Sequence, residues 1–248
     1  MRIRFGFLLA SLLCLTVMPA FAADPAYMRA DAVVRETNAD VQKSGVSAIA
    51  AHLADMEKAL ADGASDFTPS APTGVVLVDG PMETVLAMAD AAGKGRSVSA
   101  IQNPYPLLGF MLAFYYNDIG KPQDALRVIA ITLQREPMPG NHVGARMASL
   151  FTEQATAFDN LKRWSDALAA GDAGVKASQN DKDKSRSQRA RGFALVELGR
   201  LDDAEAAYNE SLKLEPGNPL AQRELAYIAQ LRSGGPKAST EMTTKSGN

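Results

Sequence analysis

The chain has 248 residues, 46% hydrophobic and 22% charged, with a formal net charge of −2 and 1 cysteine. A chain of this length buries a sizeable core without metal or disulfide support. The composition excludes two classes: there is no basic surplus of the kind that grips nucleic acid, and too few thiols for a disulfide scaffold or a thiolate metal site.

Residues 1–22 read as a secretory signal peptide. Met1-Arg2-Ile3-Arg4 is a basic start, Phe5 to Val17 is mostly apolar, and Pro19-Ala20-Phe21-Ala22 supplies a small-x-small cleavage pattern. The apolar run is short for a membrane span of ~20 residues. Cys14 lies inside it, and Leu13 stands where a lipoprotein signal needs a small residue. Cleavage leaves a cysteine-free chain, which points to a bacterial periplasm. Losing Arg2 and Arg4 takes the formal charge to about −4. No second segment is long and apolar enough to span a bilayer.

Residues 23–104 form a helical N-terminal region. Tyr27–Gln42 and Ser44–Leu60 carry apolar residues near 3–4 spacing, and Ser44 is placed to cap the second helix. Phe67–Gly74 is a loop by its Pro, Ser and Gly content. Val75-Val76-Leu77-Val78, bounded by Gly74 and Asp79-Gly80, predicts a short strand. Pro81–Ala92 returns to helix with Pro81 near its first position and Gly93 as the stop. Ser97–Ile101 alternates in part and reads as a second strand, giving a small strand–helix–strand insert. Asn103-Pro104-Tyr105-Pro106 is a rigid, non-helical entry into the next region.

Residues 105–232 repeat a helix hairpin. In the clearest copy, Arg191–Leu198 is a helix stopped by Gly199, and Asp202 and Asp203 open the next helix, where carboxylates favour exposed N–H groups. Tyr208 and Leu212 lie on the face of Ala204. Glu215-Pro216-Gly217-Asn218 ends that helix, and Pro219 opens another. Gly192, Leu195, Gly199, Leu201, Ala204, Tyr208 and Pro216 resemble the signature of a tetratricopeptide repeat over residues 185–218, one period of that repeat.

Weaker copies lie upstream. Leu112, Ala113, Tyr116, Gly120, Ala125, Ile129 and Pro137 make the first. Phe151, Ala155, Phe158, Trp164 and Ala167 make the second, with Gly171 where a large apolar residue is expected. The key alanines Ala125, Ala167 and Ala204 are separated by 42 and 37 residues, against ~34 for the ideal repeat. Insertions are therefore placed near Met138–Gly144 and Gln179–Lys184. Pro219–Arg232 resembles a first helix without its partner, a cap on the last apolar face. The fold class expected is mainly all-α: an α-solenoid of about three hairpins plus a capping helix, behind a helical region with a β insert. The tail 233–248 is expected to be disordered.

No catalytic motif is present. His52 lies in a predicted helix without a second ligand at i+4, and His142 lies in a predicted loop. Asp202 and Asp203 read as helix-start residues, and Asp181-Lys182-Asp183-Lys184 as a solvated loop. No catalytic residue, metal or cofactor is assigned.

The resemblance implies a concave face lined by positions 2, 5, 9 and 12 of each first helix, in repeats beginning at Pro106, Ala148 and Ser185. Those positions are Leu107, Phe110, Phe114 and Asn117; Ser149, Thr152, Thr156 and Asp159; and Arg186, Arg189, Phe193 and Val196, with Arg223 and Tyr227 from the cap. Partner contacts are expected at Phe110, Phe114, Asn117, Arg186, Arg189, Phe193, Arg223 and Tyr227. Arginines suit carboxylates and aromatics suit apolar anchors. The alternative for the aromatics is packing against residues 24–100. The family's carboxylate-clamp pattern is not reproduced, since Phe110/Phe114 and Thr152/Thr156 replace its Lys and Asn pairs. The function expected is a non-catalytic periplasmic module binding a protein or peptide. Two alternatives are an envelope enzyme or regulatory subunit acting through residues 24–104, and a self-associating scaffold.

Overall fold

In a computed structural model, residues 24–67, 74–135 and 146–235 are described. The stretch expected to be a signal peptide, the insertion expected at Met138–Gly144, His142 and nearly all of the expected tail lie outside them. Two helices open the chain, α1 (Ala26–Ser44) and α2 (Ile49–Asp62). Ser44 ends α1 instead of capping α2. Gly45 comes next with φ of 79°, and a 3₁₀ turn, Val46–Ala48, leads into α2 with no side-chain cap.

The insert is β1 (Val75–Val78), α3 (Pro81–Gly93) and β2 (Ser99–Gln102). The strands pair in parallel, Val75 opposite Ser99 and Val78 opposite Gln102. Val75, Leu77 and Ile101 point one way, into the helical core. Alternation sends Val76, Val78 and Ala100 to the other face, toward α3.

Three hairpins come after the insert: α4 (Tyr105–Asp118) with α5 (Pro122–Leu133), α6 (Met147–Asn160) with α7 (Trp164–Ala177), and α8 (Asp181–Glu197) with α9 (Leu201–Leu214). Helix α10 (Pro219–Arg232) closes the stack, capped by Asn218, whose Oδ1 accepts from Leu220 N and Ala221 N. Ala125, Ala167 and Ala204 are wholly buried where each second helix meets its first. Gly171 has a similar role between hairpins: a Cβ there would sit 3.0 Å from the Arg191 backbone, so a larger residue would push α7 off α8.

All three hairpin turns make the same bond. Lys121 N donates to Tyr116 O at 2.7 Å, Arg163 N to Phe158 O at 2.8 Å, and Arg200 N to Leu195 O at 2.9 Å. This six-to-one closure needs a left-handed residue before the donor. Gly120 (φ 71°) and Gly199 (φ 74°) supply it, but the middle turn uses Lys162 at φ 57°.

The second insertion is not a loop. Asp181–Lys184 is the first turn of α8, which runs 17 residues where the other hairpin helices run 14 or fewer. Asn180 caps it: its Oδ1 accepts from Asp183 N at 2.9 Å, and its Nδ2 donates to the Asp183 carboxylate. Asp202 and Asp203 do lie in the first turn of α9, but they pair with Arg232 and Arg200.

The N-terminal helices extend the stack. Tyr27, Val34, Ile49, Met56 and Leu60 share one core with Tyr105, Leu108, Leu112 and Tyr116 of α4. Glu57 of α2 accepts from Tyr116 Oη and Arg127 at 2.5 Å each. Burial raises its pKa, and the two bonds together outweigh that and hold it below the usual carboxylate value. At 100° per residue, the Tyr105/Leu108/Leu112/Tyr116 face of α4 lies opposite the one carrying Phe110 and Phe114. The N-terminal region therefore docks away from the concave side.

Lys162 in the left-handed region carries steric strain that glycine escapes. Lys162→Gly is expected to raise the unfolding free energy by roughly 0.5–1 kcal/mol in a urea titration. A loss of stability would contradict the turn geometry.

Candidate functional site

A cleft of about 440 Å³ opens where α4, α6 and α8 lie side by side. Its walls are Phe110 of α4, Arg146 and Ser149 at the start of α6, Asn180, Lys182, Asp183, Arg186 and Arg189 along α8, and Glu215 after α9. Four cationic side chains face two carboxylates, so the lining is net positive. Arg189 is braced: its Nη1 donates to Glu215 at 2.8 Å and to the hydroxyls of Ser185 and Ser211. Burial raises the Glu215 pKa, but bonds from Arg189, Ser185 and Asn218 reverse that and hold it ionised. Arg186 and Lys182 are exposed.

Of the residues expected to meet a partner, the structure brings Phe110, Arg186 and Arg189 into this one cleft. Phe114 is half-buried beside Phe110, ring centroids 6.2 Å apart. Asn117 is buried, its Nδ2 donating to the carbonyl and carboxylate of Glu153. Phe193 is buried edge-on to Trp164. Arg223 is exposed beside Glu224, and Tyr227 packs into the core under α10. Neither belongs to the cleft. Arg146, Asn180, Lys182, Asp183 and Glu215 were not expected there from the sequence. The signal for the first turn of α8 was Asn180 with Asp183 three residues on, the spacing of a capping box.

Behind the cleft runs a buried polar seam. Thr152, Thr156 and Asp159, expected on the concave face, are covered. Thr152 Oγ1 donates back to Ala148 O and lies 3.4 Å from Ser187 Oγ, and Thr156 Oγ1 donates to Thr152 O. Glu153 is 3% exposed, and burial raises its pKa against the opposing pull of Asn117 and Arg186. Neither Asp159 oxygen has a hydrogen-bond partner. Burial first, then the charge of Glu197, push its pKa up to about 8.

His52 pairs with Asp40 of α1 at 3.0 Å, a link between α1 and α2. Among the described residues no three His, Cys, Asp or Glu side chains gather as a metal site, and no helix is long and apolar enough to cross a membrane.

With this geometry in view, a family model matches the last hairpin and its cap. Residues 185–228 match the tetratricopeptide-repeat model. The chain carries a tetratricopeptide repeat. No protein of curated function matches the chain. Solved structures similar to it include the first tetratricopeptide domain of human RPAP3, at 24% identity and a TM-score of 0.46 over 52% of this chain and 94% of that one. Another is the first such domain of Spaghetti (RPAP3) bound to the HSP90 peptide SRMEEVD, at 22% identity and a TM-score of 0.46 over 54% and 97%. A third is the second domain of human RPAP3 with the HSP70 peptide SGPTIEEVD, at 21% and 0.42 over 50% and 98%. The matched stretch contains the Ala204 contact and the Gly199 turn, and Asn180, Lys182 and Asp183 of the cleft lie before it.

Asp159 makes stability depend on pH. Its folded pKa of about 8 stands above the ordinary value of 3.8, so the stability it allows is complete below the unfolded value and is lost as pH rises toward the folded one. Asp159→Asn should therefore gain on the wild type from about pH 4 to pH 8, by up to a few kcal/mol near neutrality. Urea-stability curves that stay parallel for the two proteins across this range would instead show Asp159 to be solvated.

Proposed function

We infer that the protein is a non-catalytic interaction module that holds a protein or peptide segment in the α4–α6–α8 cleft. The observation that carries this reading is the convergence of Arg146, Lys182, Arg186 and Arg189 from α6 and α8 around the half-buried ring of Phe110. Guanidinium groups fork onto carboxylates, and an aromatic wall takes an apolar side chain. The segment that fits is acidic, with an apolar residue beside its carboxylates. Stacked helical repeats present such surfaces widely.

The setting we propose is the bacterial periplasm. Its support is the sequence of residues 1–22 and the absence of cysteine after Cys14. Protein recovered from a periplasmic fraction should begin at Ala23; a retained Met1 would remove this part of the reading.

A peptide array varying acidic, basic and apolar positions tests the cleft. Acidic peptides with an apolar anchor should bind, more weakly as salt rises. Arg186→Glu with Lys182→Glu should weaken them at least tenfold, while Arg223→Ala, outside the cleft, should not. Binding that ignores peptide charge, or survives the double reversal, would exclude the cleft as the site.

A further inference from the structure

The cations of the cleft are not equivalent. Lys182 and Arg186 are exposed, and long exposed side chains keep many rotamers. Arg189 is held. Its side chain is 16% exposed, and among the described residues every hydrogen bond of its guanidinium runs through one nitrogen. Nη1 donates to Glu215 at 2.8 Å, to Ser185 Oγ at 2.8 Å and to Ser211 Oγ at 3.2 Å. The acceptors are themselves fixed. Ser185 and Ser211 are fully buried, their hydroxyl oxygens 2.9 Å apart. Glu215 also accepts from Ser185 Oγ and from Asn218 Nδ2, each at 3.1 Å. Asn218 in turn caps α10. One carboxylate therefore ties the arginine of α8 to the end of α9 and the start of α10.

A guanidinium is planar, and its Nε–H and one Nη2–H share an edge that does not include Nη1. That edge can fork onto a carboxylate with two parallel bonds. We propose that Glu215 is a positioning residue for ligand binding: it fixes the Arg189 guanidinium by Nη1, so that the Nε–Nη2 edge receives one carboxylate of the bound segment. This role rests on the acidic-segment reading of the cleft.

Glu215 has two opposite effects on such a ligand. Its carboxylate, 39% exposed on the same wall, repels an incoming one. Its bond also preorganises the arginine that receives that ligand. Repulsion between partly solvated charges is screened by salt and changes affinity by roughly two- to threefold. Immobilising a rotamer-rich side chain only at the moment of binding weakens affinity by about two- to tenfold. A fork turned out of line loses one of its two bonds as well. Positioning therefore outweighs repulsion.

Fluorescence anisotropy of the purified protein tests this, with a labelled peptide from the array above that carries two glutamates beside a phenylalanine. Glu215→Ala should weaken binding about five- to tenfold, although it removes a negative charge from a cleft that binds acid. The loss should persist at high salt, where a through-space charge effect fades. Glu215→Gln keeps an acceptor for Nη1 and should bind within about threefold of the wild type. In an Arg189→Ala background, Glu215→Ala should no longer weaken binding. Ser211→Ala removes one acceptor of the brace and no charge. It should weaken binding a few-fold, and it reads the same effect should Glu215→Ala fail to melt cooperatively. Wild-type binding that Glu215→Ala leaves unchanged or tightens overturns the role of Glu215 and leaves the cleft as the acidic-segment site. An equal loss in the Arg189→Ala background also overturns it, because Glu215 would then act through the fold and not through Arg189. A wild type that binds no acidic peptide removes the cleft reading, and this role with it.

Discussion

The close approach of paired helices at Ala125, Ala167 and Ala204 sets everything else in this molecule. Each alanine is wholly buried, and at each a larger side chain would hold the second helix away from the first. Helices that meet closely give up polar solvation only along a thin line and gain dispersion contacts on both sides of it. The three turns with their shared closing bond then fix the angle at which each pair leaves for the next. The hairpins stack because each buries one face internally and leaves another to its neighbour. The N-terminal pair α1–α2 obeys the same logic at one end through Glu57, Tyr116 and Arg127, and α10 does so at the other.

The cleft is a consequence of a departure from that regularity. Helix α8 starts a turn earlier than its counterparts because Asn180 caps it and Asp181 and Asp183 suit a helix N-terminus. The added turn carries Lys182 out beside Arg186, and both stand over Phe110 of α4. The seam of Asn117, Glu153, Thr156 and Asp159 lies inward of this wall. Asn117 bonded to Glu153 ties α4 to α6, and Thr152 beside Ser187 brings α6 to α8, while Asp159 sits in the same seam as a carboxyl group that stays protonated near neutrality.

Much of this was legible in the sequence. The hairpins showed in the spacing of alanines, aromatics and turn glycines, and α10 runs over the span its flanking Pro219 and Arg232 marked. Strand β1 was readable from Gly74 and Asp79-Gly80 and a second strand from the alternation of Ser97–Ile101, though β2 begins at Ser99, two residues later, and the parallel direction of the pair was not in the pattern. Other features were not legible. The Asp-Lys run at 181–184 resembled solvated loop because its charges masked a capped helix start. The repeat positions Asn117, Thr152, Thr156 and Asp159 looked concave by register, but register cannot say whether a neighbouring helix covers a face. The second turn hid because Lys162 takes a conformation that sequence assigns to glycine.

Packing at the hairpin contacts is tested most directly by enlarging them. Urea unfolding of Ala125→Leu, Ala167→Leu and Ala204→Leu should show each losing about 1–3 kcal/mol or more, while Ala206→Leu, on the exposed face of α9, stays near the wild type. If all four variants kept wild-type stability, the helices would not meet at these alanines and the stack described here would be wrong.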